Sequence, residues 1–329
     1  MKAKLDMEEI INVSNLVKVY NKKIKAVDDI SFSVKEGEIF GLLGPNGAGK
    51  TTILKILATL IQPTAGSVKI LDYDIIKDEQ NIRDIIGYVP QDLSADSALT
   101  GYENLLISAK LYDIKKEERE DRINKLLEMM GLNEARNRLV KTYSGGMIRK
   151  LEVAQVMVHD PQIVYLDEPT VGLDPKSRKM IWDQIEEIRK MYNTTFILTT
   201  HYMDEADVMC DRVGIINGGK IMVIGSPDSL KKSIGDNFLK ISLSEPVHEL
   251  EISGAVVNGS EIEIPVKNVD YDVPLILKKL YDQNVHIESM HTRENTLDDV
   301  FLMYTGGRIE ESHQWRDTKN VRRIARRLA

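Results

Sequence analysis

IFGLLGPNGAGKTTILKILATLI, residues 39–61, decides how the rest of the chain is read. Ile39 to Leu43 has the length and apolar character of a strand buried on both faces, and the residues from Lys50 to Ile61 follow a helical pattern. Between them GPNGAGKTT, residues 44–52, matches G-x-x-x-x-G-K-[ST] through Gly44, Gly49, Lys50 and Thr51, in the strand-loop-helix context this motif requires. Backbone N–H groups converge on phosphate oxygens only where side chains do not intrude, and glycines leave that space. The loop residues Gly44, Pro45, Asn46, Gly47, Ala48 and Gly49, with Lys50, Thr51 and Thr52 opening the helix, are therefore the candidate phosphate cradle. Lys50 supplies a point charge for the outer phosphates, and the Thr51 hydroxyl suits Mg²⁺, a hard cation that prefers oxygen. The glycines run G-x-x-G-x-G, which is not the order of the dinucleotide fingerprint G-x-G-x-x-G.

Outward from this stretch, short apolar runs alternate with helical patterns, the signature of parallel strands joined by crossover helices. Ile163 to Asp167 and Thr195 to Thr199 read as further strands. Ile163, Val164, Tyr165 and Leu166 are apolar at every position, as in a strand covered on both sides. From about Leu99 to Asp160 the pattern becomes helical, and Ile123, Leu126, Leu127 and Met130 fall at i, i+3, i+4, i+7. After Gly225-Ser226-Pro227 it changes again. Phe238 to Leu243, Glu261 to Val266 and Val285 to Met290 read as strands, with helices near Val273 to Tyr281 and Leu297 to Tyr304. The expected fold is an α/β phosphate-loop domain with a mostly parallel sheet over residues 1–230, its helical subdomain at about 99–160, and a small α+β domain at 236–307. A basic tail covers 308–329.

A length of 329 residues favours two domains, and 42% hydrophobic with 29% charged residues is ordinary for a globular protein. A net charge of -7 argues against a surface that coats nucleic acid. Cys210 has no internal cysteine to pair with, the N-terminus lacks the pattern of a signal peptide, and the apolar runs fall short of the roughly 20 residues a membrane helix needs. The cytoplasm is the expectation.

IVYLDEPTVGLD, residues 163–174, carries the second chemical signal. A buried strand ending in Asp167 and Glu168 brings carboxylates to the edge where open α/β sheets collect their ligands. Successive strand residues point to opposite faces, so the two can hold different jobs. Asp167 would orient Mg²⁺ and its waters, and Glu168 would polarise the water that attacks a γ-phosphate. His201 ends another predicted strand, and Gln91, in YVPQDL, follows a short apolar segment and could reach a metal or a water. Tyr20 precedes the predicted sheet and could stack on a base. YSGGMIRKLEVA, residues 143–154, places a serine and two glycines before a helical pattern, a second helix N-terminus suited to an anion.

In this order, these motifs resemble the ATP-binding subunit of an ATP-binding cassette (ABC) transporter over about residues 8–230. Gly44 to Thr52 matches the phosphate loop, Gln91 the Q-loop, Ser144 to Gly146 the signature, Ile163 to Glu168 the Walker B strand, Gly172 to Asp174 the D-loop and His201 the switch histidine. Tyr20 falls where the family places its adenine-stacking aromatic. Tyr143 and Met147 stand where the commonest signature has Leu and Gln; with ENTLDDVFLMYTGG, residues 294–307, they resemble the drug-resistance exporter branch.

The resemblance implies that two chains meet head to tail and share each ATP. The signature of one, through Ser144, Gly145 and Gly146, covers the γ-phosphate held by the loop of the other, with Asp174 nearby. It implies ATP and Mg²⁺ as ligands, a second ATP-binding subunit, most simply a homodimer, and a separately encoded multi-span permease at the cytoplasmic face of the membrane. No nucleic acid is expected. Soluble cassette ATPases of ribosomes or DNA usually carry two cassettes or a long coiled-coil insertion, and neither pattern is present here. A nucleotide-switched binding module without turnover would not need the full catalytic set. The last segment, WRDTKNVRRIARRLA, residues 315–329, sets Val321, Ile324, Ala325 and Leu328 opposite Arg322, Arg323, Arg326 and Arg327, a pattern that suits anionic lipid or an acidic partner surface.

Overall fold

The computed structural model describes residues 8–235, 237–246, 252, 255–283 and 285–305. The chain divides between Pro227 and Asp228 into two compact units. The first contains strands β1 (Glu9–Tyr20), β2 (Ile24–Lys35), β3 (Ile39–Leu43), β4 (Ala65–Ile70), β5 (Tyr73–Asp74), β6 (Ile86–Val89), β7 (Ile163–Asp167), β8 (Thr195–Thr200), β9 (Arg212–Asn217) and β10 (Lys220–Gly225). Its helices are α1 (Lys50–Leu57), α2 (Glu79–Ile85), α3 (Gly101–Leu111), α4 (Lys116–Met129), α5 (Gly145–Met157), α6 (Pro175–Tyr192) and α7 (Met203–Met209).

The central sheet runs β10-β9-β3-β8-β7-β6, parallel from β9 to β6, with β10 antiparallel on its edge. Every residue of β3, β7 and β8 is buried, and Phe40, Tyr165 and Phe196 are among the largest side chains wholly removed from water. The parallel strands end together, so Leu43, Val89, Asp167 and Thr200 deliver the segments that follow them to one edge of the sheet.

Lys50 to Ile61 does not stay helical to its end, because α1 stops at Leu57. Thr59 takes a left-handed conformation (φ 57), the Thr59 N–H bonds the Ile56 carbonyl at 2.9 Å and the Leu60 N–H reaches the Lys55 carbonyl at 2.9 Å. This is a Schellman closure, usually built on glycine. Here the Thr59 hydroxyl accepts from Arg83 Nε at 2.8 Å, a tertiary contact that a local pattern does not contain.

A second layer, β2-β1-β4-β5, is antiparallel, and it corrects the placing of Tyr20 ahead of the sheet. Tyr20 is the last residue of β1, paired with Ile24 across a tight turn. Bulges at several points along β1 break the period-2 alternation that would have marked it as a strand. Within the helical segment Ile123, Leu126, Leu127 and Met130 are buried as expected. Thr100 opens α3 with a capping box to Glu103.

The second unit contains most of α8 (Pro227–Ser233), then β11 (Asn237–Leu243), β12 (Val256–Asn258), β13 (Glu261–Val266), α9 (Val269–Asp282), β14 (Ile287–Arg293) and α10 (Leu297–Thr305). Its sheet is antiparallel in the order β12-β13-β11-β14. Leu239, Ile241 and Leu243 alternate inward with Ile262, Ile264 and Val266, and Ile276 and Leu280 of α9 join the same cluster. α9 begins earlier than its apolar pattern suggests because Asn268 caps it, accepting from the Tyr271 N–H at 3.2 Å. β14 lies two residues beyond the start of the expected strand, and three-residue β12 gave no pattern to read. Among the described residues no helix is long and apolar enough to cross a membrane. The basic tail, 308–329, lies outside the described residues.

Candidate functional site

The loop after β3 is shaped by glycines that no other residue could replace. A Cβ on Gly44 would stand 2.1 Å from the Ile216 carbonyl oxygen, and one on Gly49, at φ 108, would stand 2.4 Å from that of Ala26. Gly47, at φ 80, faces open space. The result is a cavity of about 360 Å³ walled by Ala26, the loop from Asn46 to Thr52, Gln91 and Glu168.

Lys50 begins α1 and turns back beneath the loop, donating to the Gly44 carbonyl at 2.7 Å and the Pro45 carbonyl at 3.2 Å. Its ammonium also lies 3.3 Å from Glu168 Oε1. Glu168 Oε2 meets His201 Nδ1 at 3.0 Å, so both carboxylate oxygens are held from opposite sides. The geometry of Glu168 itself departs from the strand. It adopts φ 48, and its N–H is shared between the Thr199 hydroxyl at 2.9 Å and the Thr199 carbonyl at 3.2 Å. That left-handed step, costly for a side chain with a Cβ, aims the carboxylate at Lys50 and into the cavity wall.

Asp167 has different company. Its Oδ1 accepts from the Thr199 hydroxyl at 2.6 Å and the Thr51 hydroxyl at 3.0 Å, and its Oδ2 from the Tyr88 hydroxyl at 3.4 Å. Burial and the adjacent Asp167 carboxylate raise the Tyr88 phenol above its usual range, so it stays a donor. The two carboxylates therefore face different partners, and the left-handed step at Glu168, beyond the end of β7, separates them rather than the alternation of a strand. Tyr88 and Thr199 carried no signal of their own in the sequence beyond lying near strand ends.

Among the described residues no group of three or more His, Cys, Asp or Glu side chains could hold a metal. A thiolate or imidazole site is not what this edge offers. The Thr51 hydroxyl, the Asp167 carboxylate and the nearby Gln91 amide are oxygen donors, which fits a magnesium-like ion that completes its shell with phosphate oxygens and water.

The second sequence motif forms its own surface. Ser144 caps α5, its hydroxyl accepting from the Met147 N–H at 3.3 Å. Asp174 caps α6, with Oδ1 accepting from the N–H groups of Lys176 and Ser177 at 3.0 Å and Oδ2 from the Ser177 hydroxyl. Those bonds hold the Asp174 carboxyl below its ordinary range. A Cβ on Gly146 would come within 3.0 Å of Ser177, so the two caps pack side by side. Neither Ser144 to Gly146 nor Asp174 lines the phosphate cavity of this chain. Tyr20 does not line it either; it is 36% exposed, with Lys18 Nζ 5.3 Å above its ring. Tyr143 is buried, its hydroxyl donating to the Ala135 carbonyl at 2.7 Å.

Comparison with known proteins agrees with this arrangement. The family profile described as "ABC transporter" matches residues 27–171, and one described as "ATP-binding protein DrrA1-3-like, C-terminal domain" matches residues 225–305. The chain is 36% identical, over 90% of its length and 92% of the relative's, to the daunorubicin/doxorubicin resistance ATP-binding protein DrrA of Streptomyces peucetius. It is 32% identical to the linearmycin resistance ATP-binding protein LnrL of Bacillus subtilis, over 92% of this chain and 100% of that one. Among solved structures, cbiO1 of Clostridium perfringens, part of the ABC transporter complex cbiONQ, superimposes with a TM-score of 0.65 at 26% identity, covering 69% of this chain and 92% of that one. A dimeric ATP-binding cassette, MJ0796, in a post-hydrolysis state bound to ADP and Pi, gives 0.59 at 27% identity, over 66% and 98%.

Proposed function

We propose a function from the premise that this chain belongs to the ABC transporter family of ATP-binding, ATP-hydrolysing subunits. Within that family we infer that it drives export of hydrophobic, drug-like compounds through a separately encoded permease, and works as a homodimer at the cytoplasmic face of the membrane. The relatives named for daunorubicin, doxorubicin and linearmycin resistance support the substrate class.

The observation that carries the catalytic reading is the line Lys50–Glu168–His201 beneath the glycine loop, with contacts of 3.3 and 3.0 Å. The loop amides and the Lys50 ammonium bind the triphosphate and neutralise its outer charge. Thr51 and Asp167, with Gln91, would hold Mg²⁺, which would supply neutralising charge to the phosphates when bound. Glu168 takes the proton of the attacking water as its oxygen bonds to the γ-phosphorus and the bond from that phosphorus to the β,γ-bridging oxygen breaks, releasing ADP and phosphate, and His201 fixes the carboxylate in place. Tyr20 offers its exposed ring to the base. Ser144, Gly145 and Gly146 of a second subunit, with its Asp174, close over the γ-phosphate and complete a shell of donors that one chain lacks. ATP thus favours closure, and loss of the phosphate bridge favours opening. The basic tail, residues 308–329, would rest on anionic lipid or on the permease.

Sedimentation of the Glu168→Gln chain with and without MgATP tests the shared site. A nucleotide-dependent dimer is expected, and a monomer at saturating MgATP, with no permease completing the site, would overturn it.

A further inference from the structure

Helix α5 carries two charges that the site does not use. Arg149 and Glu152 are 3% and 2% exposed, and Arg149 NH1 lies 2.9 Å from Glu152 Oε2. Both turn to the same loop. Arg149 donates to the Pro90 carbonyl at 2.7 Å and the Gln91 carbonyl at 2.8 Å. Glu152 Oε1 accepts from the Ser94 N–H, from the Ser94 hydroxyl at 3.0 Å and from the Ala95 N–H at 3.3 Å. The chain from Pro90 to Ala95 has no strand or helix of its own. Its backbone is thus held at both ends by one buried ion pair, on the helix whose first turn is Ser144, Gly145 and Gly146.

Burying two charges costs free energy before they attract one another, and apolar residues would fill the same space at less cost. Such a pair is better understood by what it grips than by the stability it adds. Five polar contacts tie a loop whose Gln91 walls the phosphate cavity to a helix whose start belongs to the other anion surface. A displacement at Gln91 cannot leave α5 behind without stripping the buried pair of its bonds to the loop.

We propose that Arg149 and Glu152 are positioning residues that move the Gln91 loop and the Ser144 turn as one body, so that nucleotide contacted at Gln91 sets how the turn is presented to the second subunit. The inference rests on the two-subunit reading above. It assigns coupling between the two ATP sites to a pair that touches neither nucleotide.

The test replaces both charges, Arg149→Met with Glu152→Met, in the full chain, since removing the pair together avoids an orphaned charge. Ser94→Pro, at an exposed position, deletes the gripped N–H and the gripped hydroxyl together without replacing a core residue. Hydrolysis is followed against ATP concentration, alongside thermal unfolding and affinity for a fluorescent ATP analogue at dilutions where the chain is monomeric. The clamp requires both variants to bind the analogue like the wild type while kcat falls roughly 2- to 30-fold, the span of coupling losses of this kind. The Hill coefficient should drop to about 1. A cooperative, fully active Ser94→Pro or double variant would overturn the clamp. A variant whose loss of activity is matched by an equal loss of monomer nucleotide affinity would overturn it too, since the pair would then only support the loop. A wild-type chain that hydrolyses ATP without cooperativity or association would remove the two-subunit reading, and the clamp with it.

Discussion

The Lys50 ammonium lies 3.3 Å from one oxygen of Glu168 while His201 holds the other at 3.0 Å. Glu168 is 5% exposed, so these two partners fix its direction more firmly than water could. A base held in this way contributes through its position. Glu168→Gln keeps the shape and can still bond to both neighbours, but it cannot accept a proton from water. Turnover should fall roughly 10²- to 10⁴-fold, the usual scale for losing a general base, with ATP affinity retained. Phosphate release under saturating ATP measures the first and equilibrium titration the second. Near-normal turnover in this variant would remove Glu168 from the role.

Thr199 joins the two carboxylates, donating to Asp167 Oδ1 at 2.6 Å and accepting from the Glu168 N–H at 2.9 Å. Thr199→Val keeps the volume and the branched shape a strand favours, so what it removes is one hydroxyl. Asp167 retains Thr51 and the longer bond from Tyr88, and the Glu168 N–H retains the Thr199 carbonyl. The expected cost is about 1–3 kcal/mol of unfolding free energy, that of leaving buried polar atoms short of a partner. Turnover should drop as well, because the Glu168 N–H loses the shorter of the two bonds that hold its left-handed backbone. Denaturant titration and a rate assay on the same preparation check both, and a variant equal to the wild type in each would show the link to be incidental.

The glycine loop was legible because its chemistry is local. Gly44, Gly49, Lys50 and Thr51 sit within eight consecutive positions, and strand, turn and helix each follow from neighbouring residues. The same holds for Asp167 and Glu168 at the end of a wholly apolar strand. What escaped is tertiary. Thr199 and Asp167 are 32 residues apart in the chain, and nothing in either segment announces their bond. Arg149 and Glu152, three residues apart on a helix, have the spacing of a solvated surface pair and are instead among the most buried charges of the molecule. The antiparallel layer was missed because bulges in β1 disrupt its alternation. The left-handed Thr59 was missed because its hydroxyl is answered by Arg83, from a different helix.

Glu205 supplies a dependence on pH. It lies in α7, four residues after His201, and is 6% exposed. The Thr170 hydroxyl donates to its Oε2 at 2.6 Å, and Arg178 NH1 stands 2.9 Å from its Oε1. Burial raises its pKa above the ordinary 4.5, outweighing the pull of Thr170 and Arg178 in the opposite direction. A carboxyl whose folded pKa is raised holds its proton more tightly in the native chain than in the unfolded one. Its contribution to stability is fully present below the unfolded value and is lost as pH rises through the folded value. Glu205→Gln carries a neutral amide at every pH and keeps an acceptor for Thr170. Arg178 loses its ion pair but remains a quarter exposed to water and keeps its place over the Tyr202 ring at 4.7 Å. The melting temperature of the variant should therefore gain on that of the wild type as pH is raised from about 4 to about 8. If the wild type gains instead, the Arg178 attraction outweighs desolvation, and Glu205 belongs with the depressed carboxylates.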